Sequence, residues 1–66
     1  MDIKITLAAA RVNAGMTQKD VAKRLNVTAQ TVRAWETGKT APKSAVLLAL
    51  SQIYAIPAEV FSVPAK

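Results

Sequence analysis

Neither cysteine nor histidine occurs among the 66 residues. Their absence removes disulfides, thiolate and imidazole metal sites, imidazole acid–base chemistry and any nucleophile that a histidine would activate. Acids are scarce as well: Asp2, Asp20, Glu36 and Glu59 are the only four, and no two lie close together in the chain. A catalytic centre would have little to be built from, so no enzymatic activity, metal or cofactor is expected, and no small-molecule ligand is evident. No apolar run approaches the roughly 20 residues of a membrane span. The stretch 45–50 is apolar but short, and reads as buried helix. No signal-peptide pattern opens the sequence, which makes the cytoplasm the expected compartment. Strand-like alternation is missing throughout, as are repeats, low-complexity runs and an internal linker.

What is present is positive charge. Nine Lys and Arg stand against four Asp and Glu, for a net charge of +5. That balance suits a polyanion, because Lys and Arg neutralise phosphates and release their counterions. The 66 residues make one domain. A chain this short buries only roughly 60% of its unfolded surface, so its core must be efficient.

Hydrophobic period and punctuation divide the chain into five helical pieces, and the expected fold class is all-α. The first covers residues 7–14, with Thr6 as its cap and Gly15 where a left-handed residue is wanted. The second covers 18–25, where Thr17 and Asp20 form a capping-box-like pair. The third covers 29–36, behind Thr28 and closed by Gly38. A fourth follows Pro42 and runs to residue 54, and a fifth is a short turn around 58–61, entered at Pro57. Residues 63–66 read as a loose tail. The inward positions are Val21, Ala22 and Leu25 on the second helix, and Val32 and Trp35 on the third. Val46, Leu47, Leu50, Ile53 and Tyr54 do the same on the fourth. Leu7, Ala10, Met16, Val27, Ile56 and Phe61 fill the remaining core.

The informative stretch is TQKDVAKRLNVTAQTVRAWETG, residues 17–38. Two short helices are joined by only Leu25-Asn26-Val27-Thr28. Ala22 permits close approach of the helices, Asn26 tolerates a left-handed turn, and Val27 is expected to plug the gap. This is the pattern of a helix-turn-helix, over about residues 18–37. With Val32 and Trp35 inward, Ala29, Gln30, Arg33, Ala34 and Thr37 point outward on a face without acids. Gln pairs with adenine and Arg with guanine at base edges, and the alanines suit a thymine methyl. Thr28, Ala29, Gln30, Arg33 and Ala34 are therefore the expected base-contacting residues. Phosphate contacts are expected from Gln18 and Lys19 at a helix N-terminus, where free amides and the dipole favour anions. Thr37, Lys39, Thr40 and Lys43, at and beyond the end of the third helix, complete the phosphate set.

Arg11, Gly15, Met16-Thr17-Gln18, Val21-Ala22, Leu25, Val27, Val32, Trp35-Glu36, Gly38-Lys39, Pro42, Leu47, Leu50 and Tyr54 carry a resemblance to a known family. With these residues, the chain resembles the helix-turn-helix family of phage repressor and Cro proteins, also called XRE, over about residues 5–61. The resemblance implies a compact five-helix bundle of the lambda-repressor-like type, with the third helix in the major groove. It also implies a transcription regulator, with repression as the expected action. By position, Gln18 matches the family's phosphate-binding glutamine, and Ala29, Gln30 and Ala34 match its base-reading residues. Arg11 and Glu36 match an arginine–glutamate ion pair that ties the first helix to the end of the third. Asn26 stands where the family commonly has glycine, and the two alanines leave few hydrogen-bonding groups for readout.

One recognition helix spans few base pairs. The expected partner is therefore an operator-like inverted repeat, bound at the nucleoid by a weak or DNA-induced homodimer of a bacterial or phage-encoded protein. The competing reading is an antitoxin-like or adaptor domain whose main partner is a protein, with the apolar segment 56–63 as a contact surface. Salt-dependent binding to duplex DNA separates the two.

Overall fold

Three threonines start three helices in the same way. Thr6, Thr17 and Thr28 lie in extended backbone, and each hydroxyl oxygen accepts from the amide three residues on: Ala9, Asp20 and Thr31, at 3.0, 3.0 and 3.1 Å. A cap of this kind contributes about 1 kcal/mol. The helices are α1 (Leu7–Asn13), α2 (Gln18–Leu25) and α3 (Ala29–Thr37) in a computed structural model that describes residues 4–63. At α2 the Asp20 carboxylate accepts the Thr17 amide in return, at 2.9 Å. That backbone hydrogen bond is the main reason the Asp20 pKa lies below its ordinary value. The last helix, α4 (Ser44–Tyr54), has Lys43 at its cap position and no side-chain cap bond there.

The ends are equally uniform. Gly15, Asn26, Gly38 and Ala55 all have positive φ, and each closes a helix. The next amide then reaches back five residues: Met16 to Arg11 at 3.1 Å, Val27 to Ala22 at 2.9 Å, Lys39 to Ala34 at 2.9 Å and Ile56 to Ser51 at 3.1 Å. These bonds satisfy carbonyls that the helices leave without partners. Ala55 carries a Cβ in this conformation, which costs about 1–2 kcal/mol. Ser51 helps to hold it by donating its hydroxyl to the Ile56 carbonyl at 2.6 Å.

α2 and α3 pack tightly across the turn, and α1 and α4 close behind them. The core is Leu7, Ala10, Val21, Ala22, Val32, Trp35, Leu50, Tyr54 and Phe61. Met16, Leu25, Val46, Leu47, Ile53 and Ile56 are half-buried around it. The radius of gyration, 10.8 Å, matches the value of about 11 Å for a closed domain of this length. Among the described residues no helix is long and apolar enough to cross a membrane.

Several expectations need correction. There are four α-helices, not five: the segment after α4 makes only a single 3₁₀ turn, Ala58–Val60. Strands are present as well. β1 (Ile5–Thr6) and β2 (Phe61–Ser62) pair in parallel, Ile5 with Phe61 and Thr6 with Ser62. Extended backbone at Phe61 lets its ring meet Tyr54 edge-on, with centroids 6.2 Å apart. Such a contact contributes about 0.5–1.5 kcal/mol beyond burial. Lys4 fastens the same end by donating its Nζ to the Glu59 carbonyl at 3.1 Å. Val63 packs against the core rather than joining a loose tail, and residues 64–66 lie outside the described residues. Val27 does not plug the turn. Its side chain is 37% exposed, and its amide closes the turn instead.

Tyr54 reports on this packing. The side chain is 5% exposed. Burial first, then the nearby Glu36, pushes the phenol up to about 12, with Arg11 opposing. In the unfolded chain a tyrosine titrates near about 10. The folded state therefore holds this proton more tightly. Its contribution is complete below about pH 10 and is lost as pH rises through about 12. Tyr54 is the chain's only tyrosine, so tyrosinate absorbance reads this one group. The expected midpoint is near 12 in the native protein and near 10 in denaturant. A native midpoint near 10 would contradict the buried ring.

Candidate nucleic-acid interface

At about 1.5 Å rise per residue, α3 is roughly 13 Å long, and a helix with its side chains is about 10–12 Å across. The major groove of B-DNA is about 12 Å wide. Val32 and Trp35 are buried and bolt the inner side of α3 to the core. Gln30, Arg33 and Thr37 are left exposed, with Ala29 and Ala34 half-buried between them. Ala29 is less outward than expected, since it also packs against the core.

A shallow groove runs along this face. Its walls are Gln18, Thr28, Ala29, Gln30, Thr31, Arg33, Ala34, Thr37, Lys39 and Thr40. The five residues proposed to read bases thus lie together with four of the six proposed for phosphates. Lys19 borders a neighbouring hollow with Arg11, Thr17 and Gln18. Lys43 is exposed at the start of α4 and does not line the groove. Thr31 was not among the sequence candidates. Its spacing of three from Thr28 was the available signal.

Hydrogen bonding sorts these side chains. Thr28 Oγ1 accepts the Thr31 amide at 3.1 Å, and the two hydroxyls share a bond of 2.9 Å. The Thr37 hydroxyl donates to the Ala34 carbonyl at 3.4 Å. Among the described residues, neither Gln30 nor Arg33 has a side-chain hydrogen bond or ion pair, so both forks are open to a ligand. The groove walls include the cations Arg33 and Lys39 and no acid.

The one acid nearby is Glu36, and it is fully engaged. Its side chain is 6% exposed, and that of Arg11 is 15% exposed. Arg11 Nε donates to Glu36 Oε2 at 2.7 Å, and Arg11 Nη2 to Oε1 at 3.4 Å. Gln18 Nε2 donates to the same Oε1 at 2.9 Å. Arg11 Nη1 also donates to the Met16 carbonyl at 2.9 Å. The Arg11–Glu36 pair therefore joins α1, the α1–α2 loop, the first residue of α2 and the end of α3. The hydrogen bond to Glu36 raises the Arg11 pKa above its ordinary value, with burial opposing. Gln18 uses one amide N–H on Glu36 and has a second to donate.

Removing one partner of a buried pair strands the other's charge, at a cost of about 3–5 kcal/mol. Glu36→Ala is expected to lower stability by about 3 kcal/mol, the lower end of that range, because Arg11 keeps some solvent contact. Replacing both ends, Arg11→Met with Glu36→Leu, is expected to recover most of the loss. Urea unfolding measures both variants. A Glu36→Ala midpoint equal to the parent's would contradict the assignment.

The family model described as helix-turn-helix matches residues 7–61, from the first residue of α1 to the first of β2. No curated protein and no solved structure matches the chain at a significant level. On the family match and the helix-turn-helix on α2 and α3, the chain belongs to the Cro/C1-type helix-turn-helix family, the XRE family of DNA-binding transcription regulators.

Proposed function

We propose that the chain is a sequence-specific regulator of transcription, acting as a repressor, that lays α3 in the major groove of an operator. The observation that carries this reading is the acid-free groove along α3, with Gln30 and Arg33 exposed and Lys39 and Thr40 at its end. Gln30 reads adenine and Arg33 guanine, each by a two-pronged hydrogen bond. Thr28 heads the same row, and Ala29 and Ala34 lie between the forks. Gln18 and Lys19 take a phosphate at the N-terminus of α2, where the amides and the dipole favour an anion. Thr37, Lys39, Thr40 and Lys43 take phosphates beyond the end of α3. Repression needs no chemistry, only occupancy of a site that the polymerase must use. The setting is the nucleoid, in the cytoplasm of a bacterium or under phage control.

Two copies on an inverted repeat double the readout. The α4 sequence SAVLLALSQIY contains no charged residue, and Leu48 on it is 61% exposed. Two chains of net charge +5 repel each other, and an uncharged helix face is where they approach at least cost. DNA neutralises the remaining charge, which favours pairing on the operator over pairing in solution.

Gln30→Ala and Arg33→Ala are each expected to weaken binding to the preferred site by about 1–3 kcal/mol and to relax preference at one position per half-site. Lys39→Ala is expected to weaken all duplexes alike and to reduce the salt slope by about one unit. Titrations across a panel of site variants check both. Equal affinities for parent and Gln30→Ala at every site would remove the base-reading role.

Half-sites on one face of the duplex lie about 10–10.5 base pairs apart, or a multiple of that. Inserting about five base pairs turns one copy to the opposite face. Cooperative binding in gel-shift titrations is expected to disappear on that insertion. Cooperativity that persists would exclude the paired arrangement.

A further inference from the structure

We propose that Glu36 is a positioning residue for the DNA backbone: it meets no DNA itself, but holds the Gln18 amide ready for one phosphate. The inference rests on the phosphate-contacting reading of Gln18 above and deepens it. With 6% of its side chain exposed, Glu36 is too deep to reach a duplex. Gln18 is half-buried at the first residue of α2. It lines both the α3 groove and the hollow that it shares with Thr17 and Lys19.

The two side chains depend on each other. Glu36 Oε2 accepts Arg11 Nε at 2.7 Å, but Arg11 Nη2 stands 3.4 Å from Oε1. The short donor to Oε1 is Gln18 Nε2, at 2.9 Å. A carboxylate only accepts, so the Gln18 amide must turn its NH₂ end toward it. With that nitrogen anchored, the second N–H and the amide oxygen have set directions. The anchor is itself fixed. Arg11 Nη1 donates to the Met16 carbonyl at 2.9 Å, and the carboxylate follows directly on the buried Trp35.

Holding the side chain in advance raises its share of binding. A free glutamine is spread over many rotamers, and a ligand must select one of them. Gln30 and Arg33 are exposed and untethered among the described residues, so they are ordered only on the duplex. Gln18 is ordered already by folding. Its remaining N–H lies at the N-terminus of α2, where free amides and the helix dipole favour an anion.

The test uses the intact protein and the duplex it selects from random sequences, with each phosphate in turn replaced by methylphosphonate. The penalty at a phosphate is the ratio of the two affinities within one protein, so differences in overall affinity cancel. At one phosphate per half-site the penalty is expected to be about tenfold larger in the parent than in Gln18→Ala, the share of a hydrogen bond to a charged group. The same comparison is then made in Arg11→Met/Glu36→Leu, which keeps Gln18 and removes its anchor. There the share is expected to fall to about twofold, because ordering a free side chain takes back about a factor of five. Loosening of α3 alone would leave it near tenfold, since Gln18 lies on α2. The free parent protein gives a second readout that needs no variant. Nitrogen-15 relaxation is expected to give the Gln18 side-chain amide an order parameter near that of rigid backbone, about 0.85, and that of Gln30 one below about 0.6. A share that stays near tenfold without Glu36, or a Gln18 amide as mobile as that of Gln30, would overturn the inference. If no phosphate responds to Gln18→Ala, the phosphate contact is wrong and the inference falls with it, while selective binding stands. If no duplex is selected at all, the DNA-binding reading fails with both.

Discussion

Glu36 holds a charge with only 6% of its side chain in solvent, and it does so because a guanidinium from α1 and an amide from α2 converge on its two oxygens. A carboxylate in that position cannot stand alone, because desolvation would cost more than the helix could return. Its partners are therefore obliged to be where they are. Trp35 is buried immediately before it, so the end of α3 is fixed by an apolar contact and a charged one on adjacent residues. The pair contributes orientation more than net stability, since the Coulombic gain is offset by desolvation. For a helix proposed to enter a DNA groove at one angle, orientation is the useful quantity.

Short helices make that requirement hard to meet. α3 has nine residues and α2 has eight, whereas an isolated helix below about 12–15 residues is marginal in water. The chain compensates at seven of the eight helix termini. Threonine caps start three helices, and left-handed residues with five-residue back bonds end all four. The β1–β2 pair then joins the segment before α1 to the segment after the 3₁₀ turn, so α1 and α4 are bound at the ends as well as through Leu7, Leu50 and Tyr54. The groove-facing Gln30 and Arg33 are thereby spared from structural duty. Gln30 and Arg33 are exposed because Val32, Trp35 and Glu36 carry the packing.

The helical elements were legible because their signals are local. A threonine three residues before an amide it caps, a glycine after the last apolar position, and a spacing of three between Val32 and Trp35 can each be read in a short window. The strand pair was not legible. Two residues cannot display a period of two, and Ile5 meets Phe61 only after the rest of the domain has closed. Val27 misled because an apolar residue in a tight turn reads as a plug, whereas the bond that closes this turn comes from its backbone. Gln18 was legible as a residue at a helix start. Its bond to Glu36 joins positions 18 residues apart and left no mark on sequence spacing. The bond between the Thr28 and Thr31 hydroxyls was likewise invisible until the helix was in place.

The central claim is that α3 enters the major groove, and dimethyl sulfate footprinting on the selected duplex tests it most directly. The reagent methylates guanine N7 in the major groove and adenine N3 in the minor groove, so one lane reports on both. Protection of guanine N7 within each half-site, with adenine N3 reactivity unchanged, is the expected result. Protection confined to adenine N3, or guanine N7 left fully reactive under a bound protein, would contradict it.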